Sequence, residues 1–141
     1  MMKKVFLDTN ILIDYLARRG QFFDPAAQIV QLGQLHKCKI LVSALSFATA
    51  SFILETHHKL PNDVIVSKFA KFVKMCNVTP VDSLIIDEAI ASRFPDFEDA
   101  MQYYSAIREG ADVIITRNSN DFNAADIAVY EPQAFLDMLT K

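Results

Sequence analysis

Short apolar runs alternate with helical segments along the chain, and this alternation restricts the possible folds more than any other feature. The runs occupy residues 5–7, 39–43, 78–81, 111–116 and, more weakly, 127–130. Short apolar runs bounded by turn-forming residues are typical of buried strands. Strands separated by helices pair in parallel, with the helices on both faces of the sheet. We therefore predict an α/β fold of three layers with a central parallel sheet of four to five strands.

The segments between the runs carry the start and stop signals of helices. Gly20 is expected to end the first helix, and Asp24 followed by Pro25 is expected to begin the second. Pro80 places the third strand at an edge, or at its own end. Periodicity and capping residues predict helices over about 10–19, 24–36, 45–58, 65–76, 83–92, 95–109 and 132–139.

The composition fits one compact domain that spans residues 1–141. A chain of 141 residues with 52% hydrophobic and 22% charged residues can bury a core. Its formal net charge of −3 argues against binding nucleic acid by bulk charge alone. A polynucleotide partner would need a local basic patch or bridging metal ions.

Neither the cysteines nor the apolar runs point to an extracellular or membrane protein. Cys38 and Cys76 lack the spacing of a disulfide framework or a zinc site. The run after the N-terminal lysines is too short for a signal peptide, and none approaches the roughly 20 apolar residues that span a bilayer. We therefore expect a cytoplasmic protein without membrane contact.

Asp8 stands where the first apolar run stops and a helical segment begins. In parallel α/β sheets, ligands and metals gather outside the carboxyl ends of the strands, which makes Asp8 a candidate functional residue. The alternative is that Asp8, or Thr9 or Asn10 beside it, only caps the following helix.

Further polar residues can join Asp8 at that edge. If the sheet is parallel, the end of the fourth run brings Thr116, Asn118 and Asp121 close to it. Asp99 lies in the first turn of its predicted helix, where the helix dipole favours negative charge. Caps alone could also explain acids at a helix start.

Carboxylates gathered without a basic partner repel one another unless some are protonated or a divalent cation neutralises them. Oxygen ligands suit Mg²⁺ or Mn²⁺. Such an ion can hold a phosphate and lower the pKa of an attacking water. Hydrolysis of a phosphodiester is the reaction that fits these residues.

Three stretches resemble the PIN-domain family in residue type, order and spacing, namely 7–10, Asp99 and 116–122. The chain is most similar to the VapC-type toxin ribonucleases, over nearly its whole length. The resemblance implies a PIN-like fold, dependence on Mg²⁺ or Mn²⁺, endonuclease activity on RNA, a homodimer and a cognate antitoxin. On this basis we predict a metal-dependent endoribonuclease, the toxin of a toxin-antitoxin pair. Its expected catalytic residues are Asp8, Asp99 and Asp121.

One position departs from the PIN pattern. The family usually carries a glutamate six residues past a serine such as Ser43, and this chain has Thr49 there. A hydroxyl supplies no charge to a metal, so metal affinity should fall. Glu98 could curl into the site instead, or it could be a solvated cap. Asn118 stands where many family members have Asp. The predicted metal ligands are Asp8, Asp99, Glu98 and Asn118.

Four residues beside the predicted crevice are candidates for contact with RNA. Thr9, Thr116 and Arg117 could contact a phosphate. Arg117 could equally be an ordinary loop charge. Tyr103 shares a helix face with Asp99, where it could stack on a base or bond a phosphate.

Two other functions are compatible with the same residues. A PIN-like domain weakened by Thr49 could bind RNA or a protein partner without cleaving. A phosphatase with Asp8 as nucleophile fits less well. Haloacid-dehalogenase-like enzymes carry a second Asp two residues later, where this chain has Asn10.

Overall fold

A computed structural model describes residues 2–140, and its centre is a five-stranded sheet in which every strand pairing is parallel. The strands are β1 (Lys3–Leu7), β2 (Cys38–Ser43), β3 (Asn77–Thr79), β4 (Val113–Ile115) and β5 (Ala128–Tyr130). The helices are α1 (Thr9–Leu16), α2 (Gly20–Gln34), α3 (Ala44–Thr56), α4 (Asn62–Phe72), α5 (Ser83–Ile90), α6 (Phe97–Arg108) and α7 (Pro132–Leu139). The predicted α/β fold is confirmed, including the five strands at the five apolar runs.

The side chains of β1 alternate between two separate cores. Val5 and Leu7 face one core, and Phe6 faces the other. Because successive residues of a strand point to opposite faces, both faces of the sheet are buried. The first core is covered mainly by α1, α2, α3, α4 and α7, and the second by α6 and the segment after β4. The result is the predicted three-layer arrangement.

The junction between α1 and α2 differs from the sequence prediction. Gly20 begins α2 instead of ending α1, so Pro25 lies inside the helix. Gly20 has a φ of 43°, which glycine adopts at little cost. The Arg19 amide donates to the Asp14 carbonyl at 3.0 Å, and the Phe22 amide donates to the Arg19 carbonyl at 3.0 Å. The first bond ties the junction to α1, and the second starts the new helix before the capping signal at Asp24 is reached.

The strand order β3-β2-β1-β4-β5 reverses direction at β1. In parallel α/β sheets, such a reversal opens a crevice at the carboxyl ends of the two strands beside it. Here those strands are β1 and β4, and the Asp8 amide donates to the Ile115 carbonyl at 2.9 Å just beyond their ends. Within residues 2–140, none of the helices combines the length and apolar character needed to cross a bilayer.

Candidate active site at the ends of β1 and β4

Asp8 is both the cap of α1 and the buried centre of the candidate site. Its Oδ1 accepts a hydrogen bond of 2.8 Å from the Thr9 amide, which is the capping contact. The side chain lies in the crevice, and the residue is only 7% exposed. Asp8 therefore combines the two roles that the sequence allowed: it caps α1, and its carboxylate lies in the candidate site.

Three side chains donate to the Asp8 carboxylate. The Thr116 hydroxyl donates to Oδ2 at 2.8 Å, and the Asn10 amide donates to the same oxygen at 3.3 Å. The Gln102 amide donates to Oδ1 at 3.3 Å. Burial nevertheless raises the pKa of Asp8, because loss of water outweighs the bonds from Thr116, Thr9 and Gln102. A cation near this carboxylate would restore the charged form.

Asp99 comes from the first turn of α6 and faces the same crevice. Its pKa is raised from 3.8 to about 7, first by partial burial and then by the charge of Asp8. Asp96, Asp121 and Glu98 add smaller repulsions in the same direction. These effects require the acids of β1, α6 and the segment after β4 to lie within electrostatic range of one another. The convergence expected from a parallel sheet is therefore present.

Glu98 meets Thr49 across the gap between α6 and α3. Partial burial raises the pKa of Glu98, and the charges of Asp96 and Asp8 raise it further. The nearby Thr49 side chain lowers the pKa of Glu98 and so acts in the opposite direction. The Glu98 carboxylate thus lies beside position 49, where the family that the sequence resembles usually carries a glutamate. It is also within electrostatic range of Asp8.

Asn118 and Asp121 form the third side of the crevice. Asp121 belongs to a 3₁₀ turn, residues Ser119–Phe122, and Asn118 precedes it as the cap; the Asp121 amide donates to the Asn118 carbonyl at 2.9 Å. Buried Phe122 anchors this turn in the second core. Asn118 and Asp121 are exposed, and the charge of Asp121 raises the pKa values of Asp8 and Asp99.

Gln102 is a buried residue that holds the site together, and no sequence pattern had marked it as a candidate. Its amide nitrogen donates to the Ser46 hydroxyl at 2.7 Å and to the Thr9 hydroxyl at 3.0 Å. Its carbonyl oxygen accepts from the Ser43 hydroxyl. Gln102 follows Asp99 by three residues on α6, and this shared helix face was the signal that could have identified it.

The phosphate contacts predicted for Thr9 and Thr116 stay predictions. Both residues are buried, and their hydroxyls are already engaged inside the protein. The Thr9 hydroxyl bonds the Ser46 hydroxyl at 2.7 Å. The Thr116 hydroxyl binds Asp8 and accepts from the Asn118 amide at 3.1 Å. Both threonines orient the site from behind.

The RNA contacts predicted for Tyr103 and Arg117 also stay predictions. Tyr103 is 6% exposed, packs against Phe94, and accepts a hydrogen bond of 3.1 Å from the Asp126 amide through its hydroxyl. Aromatic packing in the second core therefore covers the face that it shares with Asp99. The Arg117 guanidinium is bonded to Asp14 instead of facing the crevice.

The donors at the crevice are oxygen atoms of carboxylates, an amide and hydroxyls, which suit Mg²⁺ or Mn²⁺. Across residues 2–140, no three His, Cys, Asp or Glu side chains are arranged to hold one ion as they stand. Mg²⁺ commonly uses one or two protein carboxylates and fills its shell with waters and substrate phosphate. The donor set therefore fits such an ion through Asp8 and Asp99.

The sequence of the chain matches a protein family and a relative of known activity. A family model described as PIN domain matches residues 4–120. The chain is 25% identical to Ribonuclease VapC1 of Aquifex aeolicus (strain VF5) over 140 residues, which covers 96% of this chain and 94% of that relative.

Solved structures show the same fold. A toxin-antitoxin complex from Klebsiella pneumoniae matches with a TM-score of 0.67 and 21% identity, over 91% of this chain and 97% of that chain. VapBC2 from Rickettsia felis, bound to a promoter DNA fragment, matches with a TM-score of 0.65 and 16% identity over the same shares. PAE2754 from Pyrobaculum aerophilum matches over 100% of this chain and 98% of its own, with a TM-score of 0.65 and 16% identity.

Proposed function

Because the chain belongs to the PIN-domain family, we propose that it is a divalent-metal-dependent endoribonuclease that acts as the toxin of a toxin-antitoxin pair. The observation that carries the proposal is the convergence of acids from three segments on one crevice. Partial burial and then the charges of these acids, Asp8, Asp96, Asp121 and Glu98, raise the pKa of Asp99 to about 7. Acids held together in this way form a site for a cation. The ribonuclease name of the Aquifex aeolicus relative supports RNA as the substrate.

Asp8 and Asp99 are the residues that would hold Mg²⁺ or Mn²⁺, with Glu98, Asn118 and Asp121 at the rim. When bound, such an ion would lower the pKa of the attacking water and would place positive charge beside the scissile phosphate. Asp8 keeps its position through Thr116 and Gln102, whose bonds leave the carboxylate oriented toward the crevice. The exposed rim residues give a phosphodiester access from solvent.

The similar structures support one of the proposed partners, an antitoxin. Two of the similar structures are described as a toxin-antitoxin complex and as VapBC2 with promoter DNA. We extend this to a cognate antitoxin for the present chain, together with a homodimer. The antitoxin would prevent RNA cleavage by covering the crevice.

A second candidate is a PIN domain that binds RNA or a protein without cleaving it. One observation favours this alternative: Thr49 replaces the usual helix glutamate. The two functions differ in metal binding, since only the nuclease needs the ion.

The test measures Mn²⁺ binding and RNA cleavage on the same protein. Wild type should show a rise in Tm with Mn²⁺ and should cleave single-stranded RNA only when the ion is present. Asp8→Asn should lose both responses, whereas Asp24→Asn, a matched change at an exposed position of α2, should keep both. Mn²⁺ binding without cleavage, or no Mn²⁺ response in wild type, would favour the second candidate.

A further inference from the structure

Asp14 of α1 is a buried acid that has no part in the crevice. It is 1% exposed, and both of its carboxylate oxygens are bonded to arginines. Arg117 Nε donates to Oδ2 at 2.7 Å, and Arg117 Nη2 donates to Oδ1 at 3.2 Å. Arg19 Nε donates to Oδ1 at 2.7 Å. A buried carboxylate needs such partners, so the two arginines are fixed by it in turn.

Arg117 stands between two residues of the candidate site. Thr116 before it bonds Asp8, and Asn118 after it begins the 3₁₀ turn that carries Asp121. The Arg117 amide also donates to the Asn10 side chain at 3.2 Å. This short segment is therefore joined to α1 through both its backbone and its side chain.

The Arg117 guanidinium is also held from its other side. Its central carbon lies 3.9 Å from the centre of the Phe22 ring, at the start of α2. A guanidinium stacked on a ring and paired with a carboxylate through two nitrogens has little freedom to turn. Arg117 is thus fixed between α1 and α2, away from the crevice.

We propose that the Asp14–Arg117 ion pair is a positioning device, which sets the place of Asn118 and Asp121 relative to Asp8. The inference rests on the proposed function, because its consequence is the geometry of the metal site. Arg117 acts through its neighbours and does not touch RNA. An ion pair that only stabilised α1 would leave the segment after β4 unaffected.

Arg19 provides the matched control. It binds the same carboxylate at the same distance, and its side chain is 29% exposed compared with 28% for Arg117. Arg19 belongs to the α1–α2 junction, however, and carries none of the site residues. Replacing either arginine removes one guanidinium from Asp14. Arg19 also donates to the Asn10 carbonyl at 3.4 Å, but only Arg117 belongs to the segment that carries Asn118 and Asp121.

The experiment compares Arg117→Gln with Arg19→Gln in the full chain. Both variants should lower Tm, since each weakens the pairing of a buried charge. Only Arg117→Gln should speed hydrogen exchange at the Asp121 amide, which donates to the Asn118 carbonyl. Only Arg117→Gln should also weaken Mn²⁺ binding, by roughly 10–100-fold, as for other residues that orient ligands. Equal effects of both variants, or none at the Asp121 amide, would overturn the proposal.

Two further variants cover the case in which Arg117→Gln does not fold. Arg117→Lys keeps the charge but loses the two-nitrogen contact, and Phe22→Leu keeps the ion pair but removes the ring. Both should speed exchange at the Asp121 amide, and unchanged exchange in both would overturn the proposal. Exchange is measured without metal, so a wild type that fails to bind Mn²⁺ would reject the proposed function separately.

Discussion

Thr116 donates a hydrogen bond of 2.8 Å to Oδ2 of Asp8, and so joins the carboxyl ends of the two strands that meet at the crevice. The two residues lie 108 positions apart in the sequence. The bond fixes the carboxylate that caps α1 and also faces the other acids. A second layer of polar side chains therefore orients the site, and its removal should be measurable apart from removal of the acids.

Thr116→Val should lower the free energy of unfolding by about 2 kcal/mol, because the lost hydrogen bond runs to an acid. It should also weaken Mn²⁺ binding roughly 10–100-fold, since Asp8 loses its orienting partner. Urea unfolding and Mn²⁺ titration give the two values. Thr56→Val removes a hydroxyl that bonds only locally on α3 and serves as the control. A folded Thr116→Val protein with unchanged Mn²⁺ affinity would contradict the role of this bond.

Asp99 should make the metal-free protein less stable as pH rises. Its pKa is raised from 3.8 to about 7 in the folded protein, so the folded state holds the proton more tightly than the unfolded state does. Stability therefore falls between about pH 4 and pH 7, and the deficit persists above pH 7. Asp99→Asn should be more stable than wild type at pH 8 by about 1 kcal/mol, after allowance for solvent screening.

Urea unfolding at pH 4.5 and pH 8 without divalent ions tests the prediction for Asp99. The stability advantage of Asp99→Asn should largely disappear at pH 4.5. Saturating Mn²⁺ at pH 8 should reverse the order, because only wild type keeps the ligand. An advantage of equal size at both pH values would show that its origin is not the charge of Asp99.

Glu98 and Thr49 can be tested as a pair, because they meet across α6 and α3. If Glu98 supplies the carboxylate that position 49 lacks, Glu98→Gln should weaken Mn²⁺ binding by about 10-fold. Adding Thr49→Glu to the Glu98→Gln variant should restore the Mn²⁺ affinity. Isothermal titration with Mn²⁺ compares wild type, Glu98→Gln, the double variant with Thr49→Glu, and Asp99→Asn. If Glu98→Gln leaves Mn²⁺ affinity unchanged while Asp99→Asn abolishes binding, then Glu98 is a solvated cap.

Gln102→Leu should be the most destabilising of the substitutions described here. The side chain is buried and bonds Asp8, Thr9, Ser43 and Ser46, so an apolar replacement leaves several buried polar groups without their partner. We expect a loss of about 3 kcal/mol in the free energy of unfolding. Gln133→Leu on the exposed side of α7 is the control. A loss below that of Thr116→Val would contradict the importance of this network.

The sequence predicts the sheet well because its strands are short, apolar and buried on both faces. Val5, Phe6 and Leu7 are all apolar, which indicates a strand buried on both faces, and the structure shows this packing. The placement of Asp8 and Asp99 at one edge also follows from the parallel pairing of the strands. Both features depend on short stretches of sequence, namely the apolar runs and the polar residues at their ends, and these stretches form the same elements in the folded chain.

The polar residues of the interior could not be predicted in the same way. Asp14 looks like an ordinary helical acid, and its burial depends on Arg117, which is 103 positions away. Tyr103 occupies the helix face that spacing indicates, but Phe94 and Phe122 cover that face from other segments. Such outcomes are fixed by contacts between distant parts of the chain, which leave no periodic signal.

The central place of β1 has a consequence for the chain during its synthesis. On its β4 side, β1 remains unpaired until the ribosome has added residues beyond Ile115, and Asp121 follows later still. Pairing of such distant segments is a late event in folding. A nascent chain that stalls before this point carries Asp8 but not the other side of the crevice. The site is thereby assembled only after residues 116–121 have been synthesised.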